Sequence, residues 1–260
     1  MTFRRIDFSK FSSIKIGPAI DVMVLEKGDS PPSGRFLIGH ANNLLISCAP
    51  PPLMMLGKDF DYIAIEEDAL VIGASTPTGK ILSFCKKHDI GGFEYVAKLP
   101  GTLGGMLAMN AGVKSHETFD ALLGVVTDRG RFRKEEIPHG YRYAQLPGIA
   151  YEASFMLKRG FDRHLAEALV ALRAHQPREP SAGSVFKNPP GDYAGRLIEE
   201  AGLKGHRIGA MAWSRMHANF LVNLGGGSFE DAMALIDLAR RRVWKQFGVE
   251  LSLEIKIVDK

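Results

Sequence analysis

Pro100-Gly101-Thr102-Leu103-Gly104-Gly105-Met106-Leu107-Ala108-Met109-Asn110-Ala111-Gly112 packs four glycines, two alanines and a threonine into thirteen residues. Glycine loses more conformational freedom on folding than any other residue, so this density needs a cause. A tightly packed small-residue helix would be one. A backbone wall on which a flat ring and a diphosphate can lie is the other, and the density favours it. The stretch lacks the G-x-G-x-x-G pattern of a Rossmann unit and the G-x-x-x-x-G-K-[ST] pattern of a P-loop. A smaller cluster lies upstream, Gly39-His40-Ala41-Asn42-Asn43-Leu44-Leu45, between apolar runs. Such a turn can present successive N–H groups to an anion. It can equally be an ordinary strand–turn–strand with Asn-Asn forming the turn.

Outward from these clusters, the first half alternates short strand-like runs with Gly/Pro punctuation: residues 19–25, 35–38, 62–65 and 69–73. Thr76-Pro77 is expected to open a helix, with Thr76 as cap and Pro77 as first helical residue, and Gly91-Gly92 to end it. Residues 148–157 alternate as a half-buried strand. The second half changes character. Residues 164–174 and 196–201 read as helices, and Ser228 caps a long helix through Phe247 with Ala232, Ile236, Ala239 and Val243 on one stripe. Residues 249–257 alternate, which predicts a final strand with Glu250, Ser252, Glu254 and Lys256 on its polar face. Gly225-Gly226-Gly227 has no reading beyond leading into the Ser228 cap. The best single cut falls near 165–180.

Of the 260 residues, 45% are hydrophobic and 24% charged, which excludes disorder. No apolar run is long enough for a membrane span, and the N-terminus has no apolar core behind its basic residues, so no membrane insertion or secretion is expected. Lys plus Arg number 33 against 29 Asp plus Glu, a net charge of +4 that suits an anionic ligand. Residues 197–203 could pass for a helix–turn–helix fragment. No basic or aromatic recognition helix follows it, so no nucleic-acid partner is expected. Cys48 and Cys85 show neither CxxC spacing nor a His cluster, which predicts reduced thiols and no metal site.

Taken in order, the motifs resemble the UDP-N-acetylenolpyruvoylglucosamine reductase family over nearly the whole chain. They are Ser13-Ile14-Lys15-Ile16-Gly17, the 39–45 loop, the 100–112 stretch, Gly183-Ser184-Val185-Phe186-Lys187-Asn188-Pro189, Ala194-Gly195-Arg196-Leu197-Ile198-Glu199, Gly202-Leu203-Lys204-Gly205 and His217-Ala218-Asn219-Phe220-Leu221-Val222-Asn223. The resemblance implies an α+β fold. A two-part FAD-binding module of the PCMH/vanillyl-alcohol-oxidase type would span 1–165, in subdomains of about 1–55 and 56–165, with a small α+β substrate-binding domain at 166–260. It implies NADPH-dependent, FAD-mediated reduction of UDP-N-acetylglucosamine enolpyruvate to UDP-N-acetylmuramate, in a cytoplasmic monomer whose partner is that small molecule. Another FAD oxidoreductase of the same fold is the alternative.

The flavin site implied comprises Gly39, His40, Ala41, Asn42, Asn43, Leu44, Leu45, Pro100, Gly101, Thr102, Gly104, Gly105, Met109, Asn110, Ala111 and Gly112. Three residues receive chemical roles from the resemblance alone. From spacing, Ser184 is a turn serine, Arg142 between Tyr141 and Tyr143 is a stacked surface cation, and Glu254 is a solvated carboxylate. The resemblance makes Ser184 the proton donor, Arg142 the group that polarises the substrate carboxylate, and Glu254 a carboxyl acting with it on the enolate. Lys187, Asn188, His217, Asn219 and Lys256 become candidate substrate contacts. The sequence departs from the family where Gly39-His40-Ala41-Asn42 replaces Gly-Gly-Gly-Ser and where Gly17-Pro18 replaces a double glycine. It also lacks the tyrosine-bearing loop of the longer members.

Overall fold

Alternating apolar residues form an antiparallel sheet of five strands in the order Gly130–Arg133, Leu122–Thr127, Ala150–Met156, Ala69–Gly73, Ile63–Glu66. Leu70 pairs with Phe155 and Ile72 with Ala153, so four buried side chains share one face. Helix Thr78–Lys87 lays Ile81 and Cys85, one turn apart, into the same core as Leu103, Leu107 and Phe119. The computed structural model describes residues 2–260, and the chain divides into two compact units. This first unit comprises Met1–Arg4, Val22–His40 and Pro52–Ala174. It also contains a parallel ladder in which Leu53–Leu56 runs between residues 23–25, the end of strand Ala19–Leu25, and Phe36–Ile38.

The second unit comprises Arg5–Asp21, Ala41–Pro51 and His175–Lys260. Its antiparallel sheet runs Ser181–Ser184, Phe220–Asn223, Met211–Trp213, Arg207–Ile208. Helix Phe229–Phe247 starts at Ser228, whose Oγ accepts from Asp231 N at 3.0 Å, and stops at left-handed Gly248. Its stripe buries Leu235, Ile236 and Val243 completely, each contributing about 1.5–3 kcal/mol. Ile14, Ile16 and Leu45, from the two early segments, complete this core.

Several local expectations need correction. Thr76 does not cap a helix: it is buried, and its hydroxyl donates to Tyr62 O at 3.0 Å. The helix starts one residue later, with Pro77 in the N-cap position and no side-chain cap. It ends at Lys87, where Asp89 at φ 54° makes the left-handed turn. Gly91 instead joins the strand Ile90–Gly91, where a Cβ would meet Gly160 O at 2.5 Å. The final strand is only Lys256–Val258, parallel to Leu44–Ile46, and Glu254 precedes it in a bend after the Phe186–Leu253 bridge. The two-residue spacing therefore does not put Glu254 and Lys256 on one strand face. The late boundary between the two units falls between Ala174 and His175, inside the expected 165–180 range, whereas residue 165 itself lies inside helix Arg163–Ala171. Among the described residues, no helix is long and apolar enough to cross a membrane.

The glycine triplet has a structural cause. Asn223 Oδ1 accepts from Gly225 N and Gly227 N at 3.0 and 2.9 Å, while its Nδ2 donates to Ile14 O and Lys15 O. A Cβ at Gly227 would strike Met211 Sδ at 2.3 Å.

Candidate active site

Within the first unit Gly39, which opens the upstream cluster, lies against the downstream one. A Cβ on Gly39 would lie 3.0 Å from Thr102 Oγ1. Thr102 caps the short helix Leu103–Ala108, its Oγ1 accepting from Gly105 N at 3.4 Å. The helix is anchored by Leu103 N to Thr76 O and Gly104 N to Ala74 O, at 3.0 and 2.8 Å. Gly104 packs against Ala74, but Gly105 and Ala108 are exposed, and a Cβ on Gly105 would meet nothing nearer than Thr102 Oγ1 at 3.9 Å. One helix face is thus packed and the other is open and nearly side-chain-free. That open face fits the close approach of a flat ring, and Pro100, Gly101, Met109 and Ala111 flank the helix.

Gly112 ends this stretch for a different reason. It pairs with Glu117 in the hairpin Gly112–Val113/His116–Glu117, and a Cβ there would lie 2.2 Å from His116 O. Its carbonyl accepts from Arg142 Nη2 at 2.8 Å. Arg142 occupies the turn between the short strands His139–Gly140 and Tyr143–Ala144 at φ 53°, a left-handed conformation. For a non-glycine residue this costs about 1–2 kcal/mol. Such strain gathers where a side chain must be aimed. Tyr141 stacks against the guanidinium, with Cζ 5.2 Å from the ring centroid. Burial, and then the charge of Arg142, lowers the pKa of Arg173 in the same unit. This concentration of cations suits an anion.

In the second unit, main-chain bonds gather the remaining candidates. Ser184 pairs with Phe220 after an irregularity at Gly183, whose φ is 84°. Nothing lies within 4 Å of a Cβ on Gly183, so it is the left-handed backbone that calls for glycine. Glu254 N donates to Val185 O at 2.8 Å, next to Ser184. Asn43 Nδ2 donates to Glu254 O at 3.0 Å, and Lys256 N donates to Asn43 O at 2.9 Å. The 41–45 loop thereby fixes the bend that carries Glu254. Ser13 holds the same loop, donating to Ala41 O through its N and to Asn42 O through its Oγ. Ala41, buried at φ 51°, occupies a left-handed position without the freedom of glycine. Leu45 is core and Leu44 pairs with Lys256.

Three of the substrate candidates, Asn188, His217 and Asn219, lie against helix Ala194–Glu200. Asn188 Oδ1 accepts from Ala194 N at 3.1 Å, and a Cβ on Gly195 would lie 3.2 Å from His217 Cε1. His217 accepts from Asn219 N at 3.3 Å, and burial lowers its pKa. Asn219 is buried, and its amide brackets the Phe186 backbone at 3.0 and 2.7 Å. Its side chain therefore positions the segment that follows strand Ser181–Ser184. Lys187 is half-buried and Lys256 exposed. In the first unit, burial lowers the pKa of His40, as does the charge of Arg4, against an opposing effect of Asp61.

The sequence alone did not single out Glu117, and it placed Ser13 and Asn223 in motifs without giving them a role. Glu117 was traceable: a two-residue turn at Lys114-Ser115 puts residue 117 opposite 112.

Residues 176–258 match the family model described as "UDP-N-acetylenolpyruvoylglucosamine reductase, C-terminal domain". The chain is 43% identical to a Helicobacter hepaticus protein of that name across 98% of both chains. It is 45% identical to the one from Campylobacter jejuni strain RM1221, over 97% of this chain and 99% of that one. The crystal structure of the Thermus caldophilus reductase superposes with a TM-score of 0.85, at 29% identity, over 99% of each chain.

Proposed function

Since the chain belongs to the UDP-N-acetylenolpyruvoylglucosamine reductase family, flavin-dependent oxidoreductases of peptidoglycan synthesis, we propose which of its residues carry out the reduction. The substrate is UDP-N-acetylglucosamine enolpyruvate and the product UDP-N-acetylmuramate. FAD, reduced by NADPH, supplies the hydride to the enolpyruvyl methylene carbon when bound. Gly39, His40, Ala41, Asn42 and Asn43, with the open face of helix Leu103–Ala108 and its flanks, would hold it. The first unit is then the FAD-binding module of the PCMH/vanillyl-alcohol-oxidase type and residues from 175 onward the substrate-binding domain. Segments 5–21 and 41–51 fold with the latter. We place the protein in the cytoplasm as a monomer.

Arg142 grips the substrate carboxylate with its planar fork and draws charge toward it, because an unactivated enol ether resists hydride. Glu254 acts with it as negative charge spreads onto the carboxylate side of the enolate. A preorganised donor of this kind contributes on the order of a hundred- to a thousand-fold in rate. The Ser184 hydroxyl then gives its proton to the carbon beside the carboxylate, and water restores it. Lys187 and Lys256 offer cations to the diphosphate, while Asn188 and His217 line the sugar-nucleotide side.

The observation that carries this reading is the strained Arg142 turn, whose guanidinium is hydrogen-bonded to the last carbonyl of the glycine stretch. The test is Ser184→Ala under anaerobic conditions. NADPH should bleach the yellow protein at the wild-type rate, while return of colour on adding substrate should slow about 10²–10⁴-fold. Equal loss in both half-reactions would make Ser184 structural.

A further inference from the structure

Glu117 faces Arg142 from the strand opposite Gly112. Its Oε2 accepts from Asn110 Nδ2 at 2.7 Å, and its Oε1 lies 4.0 Å from Arg142 Nη1. Asn110 is buried; its Nδ2 also donates to Gly140 O at 3.1 Å, and its Oδ1 accepts from Phe119 N at 3.0 Å. The turn carrying Arg142 is therefore tied at two points, at its backbone through Asn110 and Gly140 and at its guanidinium through Glu117 and Gly112 O. A long flexible side chain on a left-handed turn would otherwise sample many directions. Fixing it beforehand removes that ordering cost from the reacting complex. As a source of stability the pair is weak: both side chains keep water contact, at 18% and 24% exposure, and partly solvated pairs contribute little.

We propose that Glu117 is the positioning residue of Arg142, setting the direction of its guanidinium toward the substrate carboxylate. The proposal rests on the reading that Arg142 binds that carboxylate. Glu117→Gln keeps an oxygen for Asn110 and removes the charge facing Arg142, so it isolates the orienting role.

The test is a double-mutant cycle of Glu117→Gln and Arg142→Ala on the FAD-loaded enzyme. Each variant is read by anaerobic bleaching with NADPH, by recolouring with UDP-N-acetylglucosamine enolpyruvate, and by thermal unfolding. Glu117→Gln should slow recolouring about 10- to 100-fold through misdirection of Arg142 and leave bleaching and Tm unchanged. In the Arg142→Ala background it should have no further effect, because its only route is through the guanidinium. The same further loss in that background, or a parallel fall of both half-reactions with Tm, overturns the proposal. If Arg142→Ala itself leaves recolouring intact, the carboxylate reading falls and takes the proposal with it. If Glu117→Gln does not fold, Glu117→Asp draws the charge back by one methylene and should slow recolouring in the same selective way. An unslowed Glu117→Asp would equally overturn the proposal.

Discussion

In the first unit, Arg142 sits on a left-handed turn and its guanidinium is itself held, by Gly112 O, by Glu117 and by the Tyr141 ring, while Asn110 ties the turn at Gly140 O. In the second, Ser184 and Glu254 are held at their own main chain: Ser184 by strand pairing at Phe220, and Glu254 by its N–H on Val185 O and by its C=O accepting from Asn43 Nδ2. The contrast follows from side-chain length. A serine hydroxyl is placed once its Cα is placed. A guanidinium at the end of a flexible stem needs further contacts to hold its fork. Substitutions of supporting residues should therefore alter catalysis in the first unit and stability in the second.

The largest effect tests the fork itself. Arg142→Ala should slow substrate-driven recolouring about 10²–10³-fold, and Arg142→Lys should restore little, because an ammonium keeps the charge without the planar pair of donors. Full recovery by lysine would reduce the role to charge alone. Next, Asn219→Ala orphans buried Phe186 N–H and C=O groups and should cost about 3 kcal/mol in denaturant unfolding. Lys187→Ala should stay within about 0.5 kcal/mol. Equal costs would contradict a backbone-built second unit.

Two glycine substitutions separate packing from ligand approach. Gly112→Ala drives a methyl into His116 O and should cost about 1–3 kcal/mol even without flavin. Gly105→Ala should raise the stability of the flavin-free protein by about 0.5–1 kcal/mol through helix propensity and weaken FAD retention, measured by fluorescence of released flavin. If Gly105→Ala holds FAD normally, the open face is not the flavin wall.

The smallest effect is a pH dependence. Burial lowers the pKa of His217 in the folded protein, so the unfolded chain binds its proton first. Stability is full above the ordinary histidine value of about 6.5 and declines as pH falls below it, toward the lowered folded value. His217→Gln should flatten that decline in thermal melts.

The long helix from Phe229, the strand from Ala150 and the glycine stretch were legible because period, caps and composition agree there. Thr76 misled because a threonine before proline reads as a cap, whereas tertiary packing sends its hydroxyl to Tyr62. The last strand shortened because its alternation continues through a bend held by Asn43, 211 residues away in sequence. The same distance hid the membership of 5–21 and 41–51 in the second unit, since no local pattern reports which core a short apolar run will join. Arg142, Ser184 and Glu254 were legible only through family resemblance. The hairpin pairing of Glu117 with Gly112 could be traced, but its approach to Arg142, 25 residues on, is set by tertiary packing.

The protein loaded with FAD is bleached by one equivalent of NADPH without oxygen, then given UDP-N-acetylglucosamine enolpyruvate. If this assignment is right, the yellow colour returns and UDP-N-acetylmuramate forms in equal amount. A protein that stays bleached until air is admitted would contradict it.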